Sequence, residues 1–240
     1  MQIKNSVALV TGANRGIGRA FVEALLGGGA SRVYATARTA STLDSVVALD
    51  EKRVHAVTLD VKNVADAKNA AAMAQHVTLL INNAGVLNFG GLTDIPLATV
   101  RDDMDINFFG TLNMVNAFAP TLERNHGVVV NMLSLLSLAS MPGLASYNAS
   151  KAAMWSLTQS YRADLGKRGV KVFSVFPGSV DTDMIRSFEM PKTPAIDVAR
   201  AVLAGIEAGE EDIFPDEMAR QVYAGWKQDH KAIERQFGSM

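Results

Sequence analysis

The segment Val7-Ala-Leu-Val-Thr-Gly12-Ala-Asn-Arg15-Gly16-Ile-Gly18 constrains the fold of this 240-residue chain more than any other. A short apolar run leads into a glycine-spaced turn, and a helix-compatible stretch follows at once. Glycine permits the tight turn and lets the backbone approach a pyrophosphate, whose charge the free NH groups of a helix N-terminus can hold. The spacing Gly-x-x-x-Gly-x-Gly differs from the common Gly-x-Gly-x-x-Gly. No Gly-Lys-Ser/Thr follows, which excludes a P-loop. An ordinary glycine-rich strand-to-helix turn has the same local form, so the remaining segments decide between the two.

Those segments alternate. Apolar runs at Val7–Val10, Arg32–Ala35, Val54–Leu59, Val77–Ile81, Val128–Leu133, Val170–Val175 and Asp212–Phe214 are continuous, as in strands covered on both faces of a parallel sheet. Between them lie stretches of helical character at Gly16–Leu26, Ser41–Leu49, Val64–Ala74, Leu97–Glu123, Tyr147–Lys167 and Ile196–Ala208. Repeated β-α-β alternation predicts a doubly wound α/β fold. No linker divides the chain, so residues 1–240 read as a single domain. Residues 185–195 form a substrate-side loop, with Ser187–Pro194 expected to be mobile, and the 215–240 tail holds one more helix.

Composition removes several classes of function. A formal net charge of −1 gives no field to draw the chain to nucleic acid or an anionic membrane, so neither is expected as a partner. The absence of cysteine excludes disulfides, thiolate metal sites and a cysteine nucleophile, and no metal is expected. Met1–Asn5 precedes no signal-like apolar segment. Val128–Leu138 is interrupted by Asn131, Ser134 and Ser137 and falls short of the about 20 residues a bilayer span needs. A cytoplasmic location is the expectation.

Thr11-Gly12-x-x-x-Gly16-x-Gly18 resembles the nucleotide turn of the short-chain dehydrogenase/reductase family. The resemblance implies a single-domain Rossmann-like doubly wound parallel sheet of about seven strands flanked by helices on both faces. It places Gly12, Asn14, Arg15, Gly16, Ile17 and Gly18 around a dinucleotide. In such folds an acid at the end of the second strand selects NAD by its bonds to the ribose hydroxyls. Here that place is Ala37, followed by Arg38. An acid would repel a 2′-phosphate, whereas arginine can pair with it, and Arg15 can close over the same group. Either arginine alone reads as a solvated surface charge; the two together favour NADP(H). Asp60 and Val61 resemble the family's adenine-side residues. Asn82-Asn83-Ala84-Gly85 matches its Asn-Asn-Ala-Gly signature, and Pro177-Gly178-Ser-Val180-Asp-Thr182 its nicotinamide loop.

Reduction of a carbonyl needs a hydride donor and a proton for the developing alkoxide. A tyrosine with a lysine one helical turn away can serve, because an ammonium stabilises a phenolate and lowers a pKa that is otherwise near 10. Tyr-x-x-x-Lys occurs twice, as Tyr147/Lys151 and Tyr223/Lys227. The second pair has Glu210 thirteen residues upstream and reads as ordinary helix surface. The first has Ser134 at that distance, whose hydroxyl can steady the charge on a substrate oxygen. Ser137 and Ser140 compete for that role, and Leu133 and Ser137 stand where the family more often has serine and glycine. Asn107 matches the fourth family residue. A mid-helix asparagine competes for backbone hydrogen bonds, and the resemblance has it distort its helix and sustain a proton relay from Lys151. The resemblance also gives Tyr147 and Lys151 contacts to the nicotinamide nucleoside.

Leu135, Leu136, Leu138, Leu144, Met184 and Phe188 fall where family members line the substrate cleft, and no basic cluster accompanies them. The expected activity is therefore NADP(H)-dependent interconversion of a hydrophobic ketone or aldehyde and its alcohol. The contrasting reading is a nonenzymatic NADP(H)-responsive binding protein on the same scaffold; such proteins usually lose part of the tyrosine–lysine pair, which is retained here. The segments Leu97–Glu123 and Tyr147–Lys167 correspond to helices that pair between subunits, which implies a homodimer or homotetramer.

Overall fold

The computed structural model describes residues 1–91 and 93–240. Strands β1 (Val7–Val10), β2 (Arg32–Ala37), β3 (Val54–Thr58), β4 (Leu79–Asn82), β5 (Val128–Met132), β6 (Lys171–Val175) and β9 (Asp212–Ile213) form one sheet in the order β3-β2-β1-β4-β5-β6-β9. Every pairing in it is parallel. The remaining two strands, β7 (Val180–Asp181) and β8 (Thr193–Pro194), pair only with each other.

Side-chain alternation along the central strands feeds two cores. Ala8, Val10, Leu79, Ile81, Val128 and Val130 point to the face covered by α1 (Gly16–Gly27) and α7 (Ala195–Ala208), where Phe21, Leu25, Val202 and Ile206 are buried. Leu9, Leu80, Val129 and Val172 point to the opposite face. There they meet Ala67 and Ala70 of α3 (Val64–Met73), Met114 and Phe118 of α5 (Thr111–Arg124), and Leu165 of α6 (Ala145–Gly166). Burial on both faces removes the polar alternation of a half-exposed sheet, which is why the strands read as solid apolar runs.

Four expectations need correction. The stretch Ser41–Leu49 is a 3-10 turn at Ala40–Leu43 followed by a single helical turn, α2 (Asp44–Val47). The long segment Leu97–Glu123 is α4 (Leu97–Asp103), a π-helical stretch at Met104–Gly110, and then α5. The tail holds two helices, α8 (Glu217–Gln228) and α9 (His230–Gly238), because Asp229 leaves helical geometry and its side chain accepts from Ala232 N to start a new helix. Ser187–Pro194 is not wholly irregular: it runs into β8, and Phe188 packs against Phe89 with ring centroids 5.6 Å apart.

The sheet order reverses between β1 and β4, so the crevice beyond their C-terminal ends is where this topology places a ligand.

Candidate active site

A cleft of about 460 Å³ occupies that crevice. It runs from Arg38 past the glycine turn and Asn83–Gly85 to Ser134, Tyr147 and Lys151, and ends among apolar side chains.

At the nucleotide end, Gly12 and Gly16 take positive φ values of 64° and 54°, which L side chains rarely adopt. A Cβ on Gly12 would also lie 3.0 Å from Ala84 Cα. The Thr11 hydroxyl accepts from the NH groups of Asn83 and Ala84, each at 2.9 Å, and Asn83 Nδ2 donates back to the Thr11 carbonyl at 3.0 Å. Thr11, which sequence reasoning quoted only as part of the motif, thus staples the two cofactor segments together. Asn14, Arg15, Gly16, Ile17, Asp60, Val61, Ala84 and Gly85 all line the cleft. Gly18 does not: its absent side chain makes room for Gly12 O and Asn83 Nδ2, so its part is close helix–strand packing.

Ala37 ends β2 in the buried core, with Arg38 exposed beside it at the cleft and Thr39 and Thr42 adding hydroxyls that the sequence reading missed. Arg15 is 74% exposed, with its guanidinium 3.9 Å from Asp183 across the cleft mouth. Pro177, Gly178, Val180 and Thr182 line the far side. Gly178 NH donates to the buried Asp216 carboxylate at 2.8 Å, and the other oxygen of Asp216 caps α8 by accepting from Ala219 N at 2.8 Å.

The structure brings the four expected chemical residues together. Ser134 follows β5 and caps a 3-10 turn over Leu135–Ser137, its hydroxyl accepting from Leu136 N at 3.1 Å. Tyr147 lies in the first turn of α6, beside Ser134, and Lys151 lies one turn on with Nζ 5.7 Å from the tyrosine ring centre. Asn107 sits inside the π-helical stretch. Its amide accepts from Val86 N at 2.9 Å and donates to Val86 O at 3.0 Å and to Ser150 Oγ at 2.9 Å. The expected helix distortion is present, and Asn107 also bonds the neighbouring helix.

Electrostatics depart from expectation. Burial pushes the Tyr147 phenol up to about 12, with Ser134 opposing and the Asp103 carboxylate reinforcing the rise. Burial pushes Lys151 down to about 8, with Asp103 opposing. Desolvation of the phenolate dominates, and the tyrosine stays above the neutral range with Lys151 beside it. Asp103, fully buried at the end of α4, was not singled out in the sequence.

Of the expected substrate-side residues, Leu135, Leu136, Leu144, Met184 and Phe188 line the cleft. Leu138 does not; it packs against the tail and the Phe176 cluster. Ser137 is buried away from the cleft with its hydroxyl unpaired, and Ser140 is exposed, which leaves Ser134 as the serine at the site. The tail adds Met218, Phe237 and Met240, facing Met141 and Met190. Tyr223 stacks on Phe214 at 3.9 Å with Lys227 over its ring, well outside the cleft.

A parallel sheet in this order with a tyrosine, lysine and serine gathered at its switch point defines a Rossmann-like oxidoreductase. The chain belongs to the short-chain dehydrogenase family, whose profile, described as "short chain dehydrogenase", matches residues 6–192. An uncharacterised oxidoreductase of Staphylococcus aureus (strain MW2) is 33% identical over 210 residues, covering 84% of this chain and 90% of that protein. Among solved structures, a short-chain dehydrogenase from Burkholderia cenocepacia J2315 in complex with NADP is 40% identical, with a TM-score of 0.93 and 99% of both chains covered. A short-chain dehydrogenase/reductase from Burkholderia phymatum in complex with NAD is 27% identical, with a TM-score of 0.85 over 98% of this chain and 96% of that one. No helix among the described residues is long and apolar enough to cross a membrane.

Proposed function

We propose that this chain is an NADP(H)-dependent reductase of apolar ketones or aldehydes, working reversibly on the corresponding alcohols. The observation that carries the reading is the placement of Tyr147, Ser134 and Lys151 along one cleft with the glycine turn. The cleft suits a dinucleotide: positive-φ glycines expose backbone NH groups to a pyrophosphate, and Arg15 and Arg38 stand where a 2′-phosphate would lie. The NADP found in the Burkholderia cenocepacia relative agrees with that charge pattern.

A nicotinamide held between the glycine turn and the Pro177–Thr182 segment would supply hydride to a carbonyl carbon. Tyr147 donates its proton to the carbonyl oxygen, which Ser134 polarises through its hydroxyl. Lys151 holds positive charge behind the phenol and would contact the nucleoside of the nicotinamide. Asn107 anchors the Val86 segment to α6 and so keeps that helix in register with the cofactor loop. Val180 and Thr182, on the far wall, would hold the carboxamide of such a nicotinamide.

The substrate end is apolar and rich in methionine, a flexible side chain that adapts to irregular shapes. It supports an uncharged, small to medium substrate and broad tolerance. Leu97 and Phe109, 62% and 46% exposed on the α4–α5 face, support pairing with a second copy, as a homodimer or homotetramer. The deciding measurement is oxidation of NADPH, against NADH as control, over a panel of aryl and alkyl ketones. Tyr147→Phe should abolish turnover and retain NADPH binding; near wild-type rates in that variant, or turnover confined to anionic carbonyls, would refute the reading.

A further inference from the structure

Two carboxylates are buried among the described residues, and they serve different ends. Asp216 spends both oxygens on backbone NH groups. Asp103 faces side chains instead: one oxygen accepts from Ser146 Oγ and the other from Asn88 Nδ2 at 3.1 Å. Neither partner is a cation. A carboxylate taken out of water on such terms is costly, and a neutral side chain of similar size would fill the space more cheaply.

Its position accounts for the charge. Asp103 and Asn107 lie one turn apart on one helical path, and Ser146 and Ser150 lie one turn apart on α6. Asp103 meets Ser146, and Asn107 meets Ser150. The uncharged segment Val86–Asn88 is held by both, through Val86 at the Asn107 rung and Asn88 at the Asp103 rung. The residues that follow the two serines are Tyr147 and Lys151. Each rung of this clasp therefore seats one member of the acid/base pair.

We propose that Asp103 is a positioning residue of the active site: as a carboxylate it seats the first turn of α6 and sets a negative charge behind Tyr147 and Lys151. The inference rests on the reading of Tyr147 and Lys151 as the acid/base pair. The charged and titratable groups that act here are Asp102 on its own helix and Tyr147 and Lys151 on α6. Asp103 opposes the burial that strips the proton from Lys151, and it adds to the burial that keeps Tyr147 protonated. Both effects favour the form of the site that gives a proton to a ketone. Asp103 itself is held above the usual carboxylate range, chiefly by burial, with Ser146 and Asn88 pulling the other way and Asp102 adding to the rise.

The test separates charge from architecture. Lysine labelled with 13C at Cε is titrated by NMR in the full-length wild type, Asp103→Asn and Ser146→Ala, beside the pH profile of NADPH-dependent aryl ketone reduction. Asp103→Ser serves as a second neutral variant should Asp103→Asn fold poorly. Both neutral variants should lower the Lys151 midpoint by about one pH unit and move the alkaline limb of reduction with it. Ser146→Ala, which keeps the charge, should leave the midpoint in place. An unmoved midpoint in the neutral variants, or an equal shift in Ser146→Ala, would overturn the proposal. Because the midpoint is read without turnover, a shifted midpoint in a protein that reduces no carbonyl would count against the reductase reading alone.

Discussion

Lys151 donates a hydrogen bond to the carbonyl oxygen of Met132, 2.8 Å away, so the helix that carries Tyr147 is pinned to the end of the strand that leads into Ser134. This contact, together with Asn131 Nδ2 donating to Thr158 Oγ1 at 3.0 Å, sets the depth of α6 against β5. It also keeps an ammonium in a buried place, at a cost that its lowered pKa records. Lys151→Met should reduce kcat/KM for ketone reduction by about a hundredfold or more. At pH 7 it should raise Tm by about 5 °C, since the removed burial penalty exceeds one hydrogen bond. The sign follows from linkage. The folded lysine loses its proton at about 8 and the unfolded one near its ordinary value, so the wild type gains stability between those pH values and the advantage of the variant shrinks. Thermal melts at pH 7 and pH 10 check this; a lower Tm at pH 7 would mean that the Met132 bond outweighs burial.

The same two groups set the pH profile. Reduction needs Tyr147 protonated and Lys151 charged, and below about pH 8 both conditions hold. Reduction, followed as kcat/KM, should be level from pH 6 to about 7.5 and fall as Lys151 loses its proton. Alcohol oxidation needs the phenolate and should keep rising over the same range. An alkaline midpoint for reduction near that of a free lysine would contradict the assignment.

Cofactor choice should respond to the end of β2. Arg38→Ala should raise the KM for NADPH roughly tenfold, the worth of about one charge-assisted phosphate contact, and leave NADH nearly untouched. Ala37→Asp with Arg38→Ala should reverse the preference, because a carboxylate repels the 2′-phosphate and accepts from free ribose hydroxyls. Initial rates with both dinucleotides decide it. Equal effects on NADH and NADPH would place Arg38 outside the phosphate site.

The tail wall should govern substrate size. Met218 sits against Gly178 and lines the cleft, so Met218→Ala opens space beside the nicotinamide loop. Bulkier ketones should gain in kcat/KM by several-fold and the smallest should lose, with the dissociation constant for NADPH changed less than about twofold. A uniform loss across the panel would show that Met218 supports the loop without shaping the substrate space.

The strands and the glycine turn were legible because they obey local rules. Parallel strands buried on both faces must be apolar, and a turn at positive φ must be glycine. What escaped the sequence depends on partners far along the chain. The resemblance already has Asn107 distort the Leu97–Glu123 segment, but its partners Val86 and Ser150 are announced by no local pattern. Asp103 stands in the run Arg101-Asp-Asp-Met-Asp, which reads as solvated surface until Asn88 and Ser146 enclose it. Met141, Met190, Met218 and Met240 converge only in three dimensions. The second tail helix did carry a local signal, since Asp229 before His230-Lys-Ala is an N-cap pattern. Tyr147 and Lys151 do meet in one cleft, but sequence proximity speaks only of the ammonium, and burial pushes the tyrosine the other way.

The double use of Asp216 bears on how such a protein can change. Its carboxylate is both the rivet of the nicotinamide loop and the starting block of α8, so everything that rewrites the methionine wall from the C-terminal side begins downstream of a fixed joint. Changes in Glu217–Met240 reshape the apolar end of the cleft, and through Ala219, Ile233 and Phe237, which pack with Leu135, they also bear on the turn that Ser134 caps. Directed evolution confined to those residues would diversify the apolar end of the cleft, with Leu135 as the route by which a change there reaches Ser134.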